Sequence, residues 1–124
     1  MKAIFLSLLL ATSAATALAD DNAKISGKWK IHLNVQGNES DATCDFTQKD
    51  TDLTGSCMTD KGDKPLTGKV DGKTIKFQYD SEYEGTAFTA KYSGALDPTG
   101  TKFAGTIVID AFSVDGDFTG TPEK

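Results

Sequence analysis

Two cysteines, Cys44 and Cys57, flank the polar run Lys49-Asp50-Thr51-Asp52, each on the apolar face of an alternating segment. The stretch from Ala42 to Met58 reads as two strands joined by a two-residue turn at Asp50-Thr51. That turn sets Lys49 opposite Asp52, Phe46 opposite Gly55 and Cys44 opposite Cys57. Counted outward, the cysteines fall on a non-hydrogen-bonded rung, where opposed Cα atoms approach to about 4.5 Å, within reach of a disulfide. Closing so short a loop stabilises by about 3 kcal/mol in the chain-entropy account. No Cys-x-x-Cys spacing and no nearby histidine points to redox or metal chemistry, so the pair is expected to be a structural bridge.

The same period of two runs through the rest of the chain, with no amphipathic helix pattern between. Eight segments are expected. The first runs from Gly27 to Val35 with Trp29, Ile31, Leu33 and Val35 inward, and the hairpin supplies the second and third. The fourth, Pro65 to Val70, ends at Asp71-Gly72, a type I′ signal that pairs Val70 with Lys73, Gly68 with Ile75 and Leu66 with Phe77. The fifth, Lys73 to Tyr79, leads through an acidic tip, Asp80 to Gly85, to a sixth in which Phe88, Ala90, Tyr92 and Gly94 share a face. Phe103 to Ile109 and Val114 to Thr121 are the seventh and eighth.

A tripeptide of apolar residue, small residue and glycine recurs along these segments, as in Leu53-Thr54-Gly55, Leu66-Thr67-Gly68, Phe103-Ala104-Gly105 and Phe118-Thr119-Gly120. In each copy the large residue and the glycine face the same way, which suits coiled strands whose glycines admit a neighbour's side chain. Short connections pair sequential strands antiparallel, and closure removes both edges. The expected fold is an all-β, eight-stranded antiparallel up-and-down barrel, with a two-sheet sandwich as the alternative.

Residues 1–19 read as a secretory signal peptide: Met1-Lys2, an apolar run from Ala3 to Leu10, and Ala17-Leu18-Ala19 as the cleavage site. Cleavage after Ala19 leaves residues 20–124 as a single domain in the periplasm or outside the cell, where a disulfide persists. The apolar run is too short to span a bilayer, so no membrane insertion is expected. All thirteen basic residues are lysine, and removing Lys2 leaves twelve of them against eighteen acids. An acidic chain without arginine speaks against nucleic acid as a partner. Asn38-Glu39-Ser40 matches a glycosylation sequon, read as a chance match.

Catalytic constellations are not found. His32, the one histidine, lies on the outward face of the first segment, and no Gly-x-Ser-x-Gly accompanies it. Asp115/Asp117 and Glu82/Glu84 are solvated pairs, without the shielding that general acid work requires. No cofactor is implied, no dense metal-ligand run appears, and the chain is read as not an enzyme. What remains is the inward list. Phe77, Tyr79, Phe88 and Tyr92, with Gln48 as an inward amide, are the candidate ligand-binding residues for a small apolar or aromatic molecule. The alternative is a filled barrel that meets a secreted protein partner.

Gly27-Lys28-Trp29 on the first segment, the Asp71-Gly72 hairpin and the closing Gly116-Asp117-Phe118-Thr119-Gly120 resemble the calycin-like barrels, the group of lipocalins and avidins. The resemblance spans residues 25–121 and implies that Trp29 plugs one barrel end. The late-strand arginine that the group sets across this tryptophan is absent. The several ligand-side tryptophans of avidins are absent too, so biotin binding is not implied. Bacterial periplasmic inhibitors of secreted metalloproteases are also similar, and would imply an inhibitory role for the arm Asp20 to Lys24.

Overall fold

A computed structural model describes residues 22–123; residues 1–19, read from the sequence as a signal peptide, and Asp20 and Asp21 of the arm lie outside them. Eight strands follow one another as β1 (Gly27–Val35), β2 (Asn38–Lys49), β3 (Asp52–Thr59), β4 (Gly62–Asp71), β5 (Thr74–Tyr83), β6 (Thr86–Leu96), β7 (Phe103–Ile109) and β8 (Val114–Pro122). Each pairs antiparallel with its sequence neighbours, and β8 returns to β1, so the sheet closes as a barrel. Alternation decides which residues face the interior: Trp29, Ile31 and Leu33 are buried while Lys30 and His32 are exposed, and β5 buries Ile75, Phe77 and Tyr79 in the same rhythm.

The β2–β3 hairpin has the expected register, with Cys44 opposite Cys57 and Phe46 opposite Gly55. The cysteine sulfurs are 1.97 Å apart, at bonding distance, and both residues are buried. The β4–β5 hairpin departs from expectation. Its turn is Gly72-Lys73, so Val70 faces Ile75, Gly68 faces Phe77 and Leu66 faces Tyr79. A type I′ turn at Asp71-Gly72 needs both central residues at positive φ. Here Gly72, at φ 62, takes the first central position and Lys73 stays negative, the glycine-first arrangement of a II′ turn. The N-terminal segment then engages that glycine from both sides: its N–H donates to Asn22 Oδ1, and its carbonyl accepts from Ala23 N. The second departure is the acidic tip. Asp80 to Tyr83 extends β5, paired with Thr86 to Thr89 of β6, and only Glu84-Gly85 turns.

The glycines of the recurring tripeptide sit opposite the core rings. Phe46 faces Gly55, Phe77 faces Gly68, Phe103 faces Gly120 and Phe118 faces Gly105 across the ladders. At Gly120 a Cβ would stand 2.8 Å from the Phe103 ring; at Gly55, φ 136, it would strike the Asp45 carbonyl at 1.9 Å. The missing side chains therefore make room for the Phe103 ring at Gly120 and the Phe118 ring at Gly94, and elsewhere for close approach of the neighbouring backbone. The Phe46, Phe77, Phe103 and Phe118 rings meet Trp29 and each other at centroid distances of 4.8–6.3 Å.

The two ends differ. At the base, Ile25 is buried to 1 % exposure beneath Trp29, whose Nε1 donates to the Ile25 carbonyl. Gln48 locks the arm there. Its Oε1 accepts from Ile25 N, its Nε2 donates to the Ala23 and Asp50 carbonyls, and its N–H donates to Ser26 Oγ. At the other end, pairing stops early between successive hairpins: β2 and β3 part above Thr43/Met58, β4 and β5 above Leu66/Tyr79, and β6 and β7 above Lys91/Val108. The hairpin tips stand apart as petals around a mouth.

Candidate functional site

The petals enclose a cavity of about 380 Å³ whose walls include Leu33, Ala42, Phe88, Ala90 and Ile107, with Tyr79 and Tyr92 deepest. Alternation explains the lining, because each of these is the inward residue of its strand where the rings of the lower barrel give way to smaller side chains. A bay of about 590 Å³ adjoins it, sharing Val35, Asn38, Ser40, Tyr83, Phe88 and Ile109 and reaching Phe112 and Val114. Phe112 comes from a single 3-10 turn, Asp110–Phe112, between β7 and β8. Its ring stands edge-on to Tyr83 at 6.0 Å and to Phe88 at 5.5 Å between centroids.

The floor is chemically distinctive. The Tyr79 and Tyr92 hydroxyls are 2.7 Å apart, and the two residues are 7 % and 2 % exposed. One O–H donates to the other oxygen, and the second proton has no acceptor among the described residues. The pair therefore offers one donor toward the cavity. Burial raises the pKa of both hydroxyls, that of Tyr92 well above its ordinary value, with the neighbouring Tyr79 adding to it. Both remain protonated donors at neutral pH.

Of the residues singled out in the sequence, Tyr79, Tyr92 and Phe88 meet here. Phe77 lies one layer below, stacked on Tyr92 at 4.4 Å, and supports the floor without reaching the cavity lining. Gln48 is at the opposite end, engaged with the arm. Tyr83, Phe112, Asn38 and Ser40 were not singled out. Asn38 and Ser40 face inward opposite Val35 and Leu33, in a stretch whose polar composition reads as turn.

On the outer wall below the rim, His32 Nδ1 lies 2.7 Å from Asp41 Oδ1 and Nε2 lies 2.8 Å from Glu39 Oε1. Both partners are carboxylates, so both ring nitrogens donate and the imidazolium is favoured; the Asp41 bond first, then the Glu39 bond, raises its pKa. With both nitrogens engaged, the ring presents no lone pair for base catalysis. Among the described residues no cluster of three His, Cys, Asp or Glu side chains could hold a metal, and no helix is long and apolar enough to cross a membrane.

No protein-family model matches the chain, and no curated protein matches it. Among solved structures it is similar to a redesigned beta barrel, with a TM-score of 0.64 at 16% identity over 80% of this chain and 91% of that one. At this identity the likeness shows the fold alone.

Proposed function

We propose that the protein is a secreted, non-enzymatic barrel of calycin-like kind that carries a small apolar or aromatic ligand in the cup at its mouth. The observation that carries this is the cup itself. A cavity of about 380 Å³ falls within the size range of small-molecule sites, with mostly apolar walls and few polar groups converging on the floor. The ligand would bring an acceptor atom to the hydroxyl pair. Gly27-Lys28-Trp29 at the sealed base and the buried cystine support the calycin-like and secreted parts of the reading. The arm from Asn22 onward is committed to closing the base, which favours the interior over an arm-borne inhibitor.

Calorimetric titration with acetylnaphthalene, an aromatic ketone, tests the reading. Binding at one site with micromolar affinity is expected. Because either hydroxyl alone still carries a proton to donate, Tyr79→Phe and Tyr92→Phe combined should weaken it by about three- to tenfold, the range for one lost hydrogen bond, while unsubstituted naphthalene is unaffected. No heat and no fluorescence change with either probe would overturn the carrier reading.

A further inference from the structure

We propose that the ligand is an amphipathic organic cation, its apolar body in the cup and its ammonium group at the rim. This deepens the carrier reading above and rests on it. Three observations converge. First, the charged side chains around the opening are unbalanced: Asp60 and Glu84 stand among the lining residues against one cation, Lys61, and Glu82, on the outward face of β5 between Ser81 and Tyr83, adds its charge beside the rim. Asp41 contributes only its wall position, because its carboxylate is turned outward to His32. A carboxylate-bearing ligand would meet like charge on entry, and a cation would be drawn in.

Second, Tyr83, Phe88 and Phe112 form a box at the same rim. All three line the same bay, where Phe112 packs edge-to-face at 81° to Tyr83 and 67° to Phe88. Tyr83 is 57 % exposed, which leaves much of that ring accessible. Faces of aromatic rings carry negative potential, and such boxes hold quaternary ammonium groups. Glu82 and Glu84 flank Tyr83 in sequence, so charge and ring faces act on one locus. Third, the hydroxyl pair lies at the opposite, deep end, each residue more than nine-tenths buried, with one proton left to donate. The cup therefore has direction: a donor at the floor for a ligand acceptor, apolar walls for its body, and a cation box where it emerges.

The test compares three probes sharing a naphthylmethyl body: the trimethylammonium cation, its uncharged neopentyl isostere, and naphthylacetate as the anion. Affinities are read by competition against acetylnaphthalene at low ionic strength. The cation is expected to bind about tenfold tighter than the isostere, with naphthylacetate weakest. In E82Q/E84Q that advantage should shrink to about threefold while isostere binding is unchanged. Added salt should weaken cation binding to the unmodified protein. Tyr83→Leu should lower cation binding more than isostere binding. Equal affinity for cation and isostere, or preference for the anion, would overturn the cation assignment and leave the carrier reading standing. Failure of all three probes and of acetylnaphthalene would remove both.

Discussion

The two ends of this barrel are built from the same strands by the same alternation, and they reach opposite outcomes. At the base the ladders run to or near the strand ends, as at Asp71/Thr74, Leu96/Phe103 and Lys49/Asp52, and an N-terminal segment covers the opening. At the mouth, three of the seams between hairpins stop short while the hairpins themselves continue. The inward residues follow suit. Below lie rings opposite glycines; above lie Leu33, Ala42 and Ala90, which leave space. Stability is therefore concentrated at one end, and the other is free to be shaped for a ligand.

The sharpest way to break this comparison is to remove one ring from each end. Phe103→Ala should lower unfolding stability by about 3–5 kcal/mol in urea melts, because its neighbours cannot collapse into the gap. Phe88→Ala, half-buried at the mouth, should lower stability by under about 1.5 kcal/mol but weaken acetylnaphthalene binding. Comparable losses at both ends would contradict the division.

Replacing both cysteines with alanine should lower stability by about 3 kcal/mol, from renewed freedom of the unfolded chain. The bridge lies one rung below the point where β2 and β3 part, so hydrogen exchange should quicken first at Thr43 and Met58. Gln48→Ala leaves the Ile25 N–H and Ala23 carbonyl without their side-chain partners. A loss of about 1–3 kcal/mol is expected, with ligand affinity unchanged because the base is remote from the cup. Replacing both Tyr79 and Tyr92 with phenylalanine should do the converse, changing stability by about 1 kcal/mol while lowering affinity for the ketone probe.

The smallest effect belongs to His32. Its folded pKa is raised above 6.5, chiefly by Asp41 and then Glu39. Its contribution is thus complete below about pH 6.5 and lost as pH rises through the folded value. Melting temperature should fall slightly across that window in the parent protein, and His32→Gln should flatten the change. An NMR-detected His32 pKa at or below 6.5 would refute the two-carboxylate geometry.

Much of this architecture was legible in the chain, and the gaps have a common cause. Period-two alternation marks which face a residue occupies, so all eight strands and the Cys44/Cys57 rung follow from it; the closed barrel follows from the short connections, with the two-sheet sandwich sharing the same alternation. Parity does not give height along the barrel. Gln48 and Tyr79 both point inward, yet one locks the base and the other floors the cup. The β4–β5 register differs because Asp71-Gly72 and Gly72-Lys73 are both two-residue turns that keep the same faces inward; in the turn adopted, Gly72 is bonded on both sides by Asn22 and Ala23, about fifty residues away. Phe112 was missed because it belongs to a turn without alternation. The early parting of the hairpins depends on strand stagger, which no local pattern reports.

The most direct test of the sealed base and receptive mouth is amide chemical-shift mapping on titration with acetylnaphthalene. Perturbations confined to Leu33, Ala42, Ser81, Phe88, Ala90 and Ile107, with Ile25, Trp29, Gln48 and Phe103 unmoved, are the expected result. Shifts centred on the base, or saturable binding that leaves the cup residues unchanged, would contradict it.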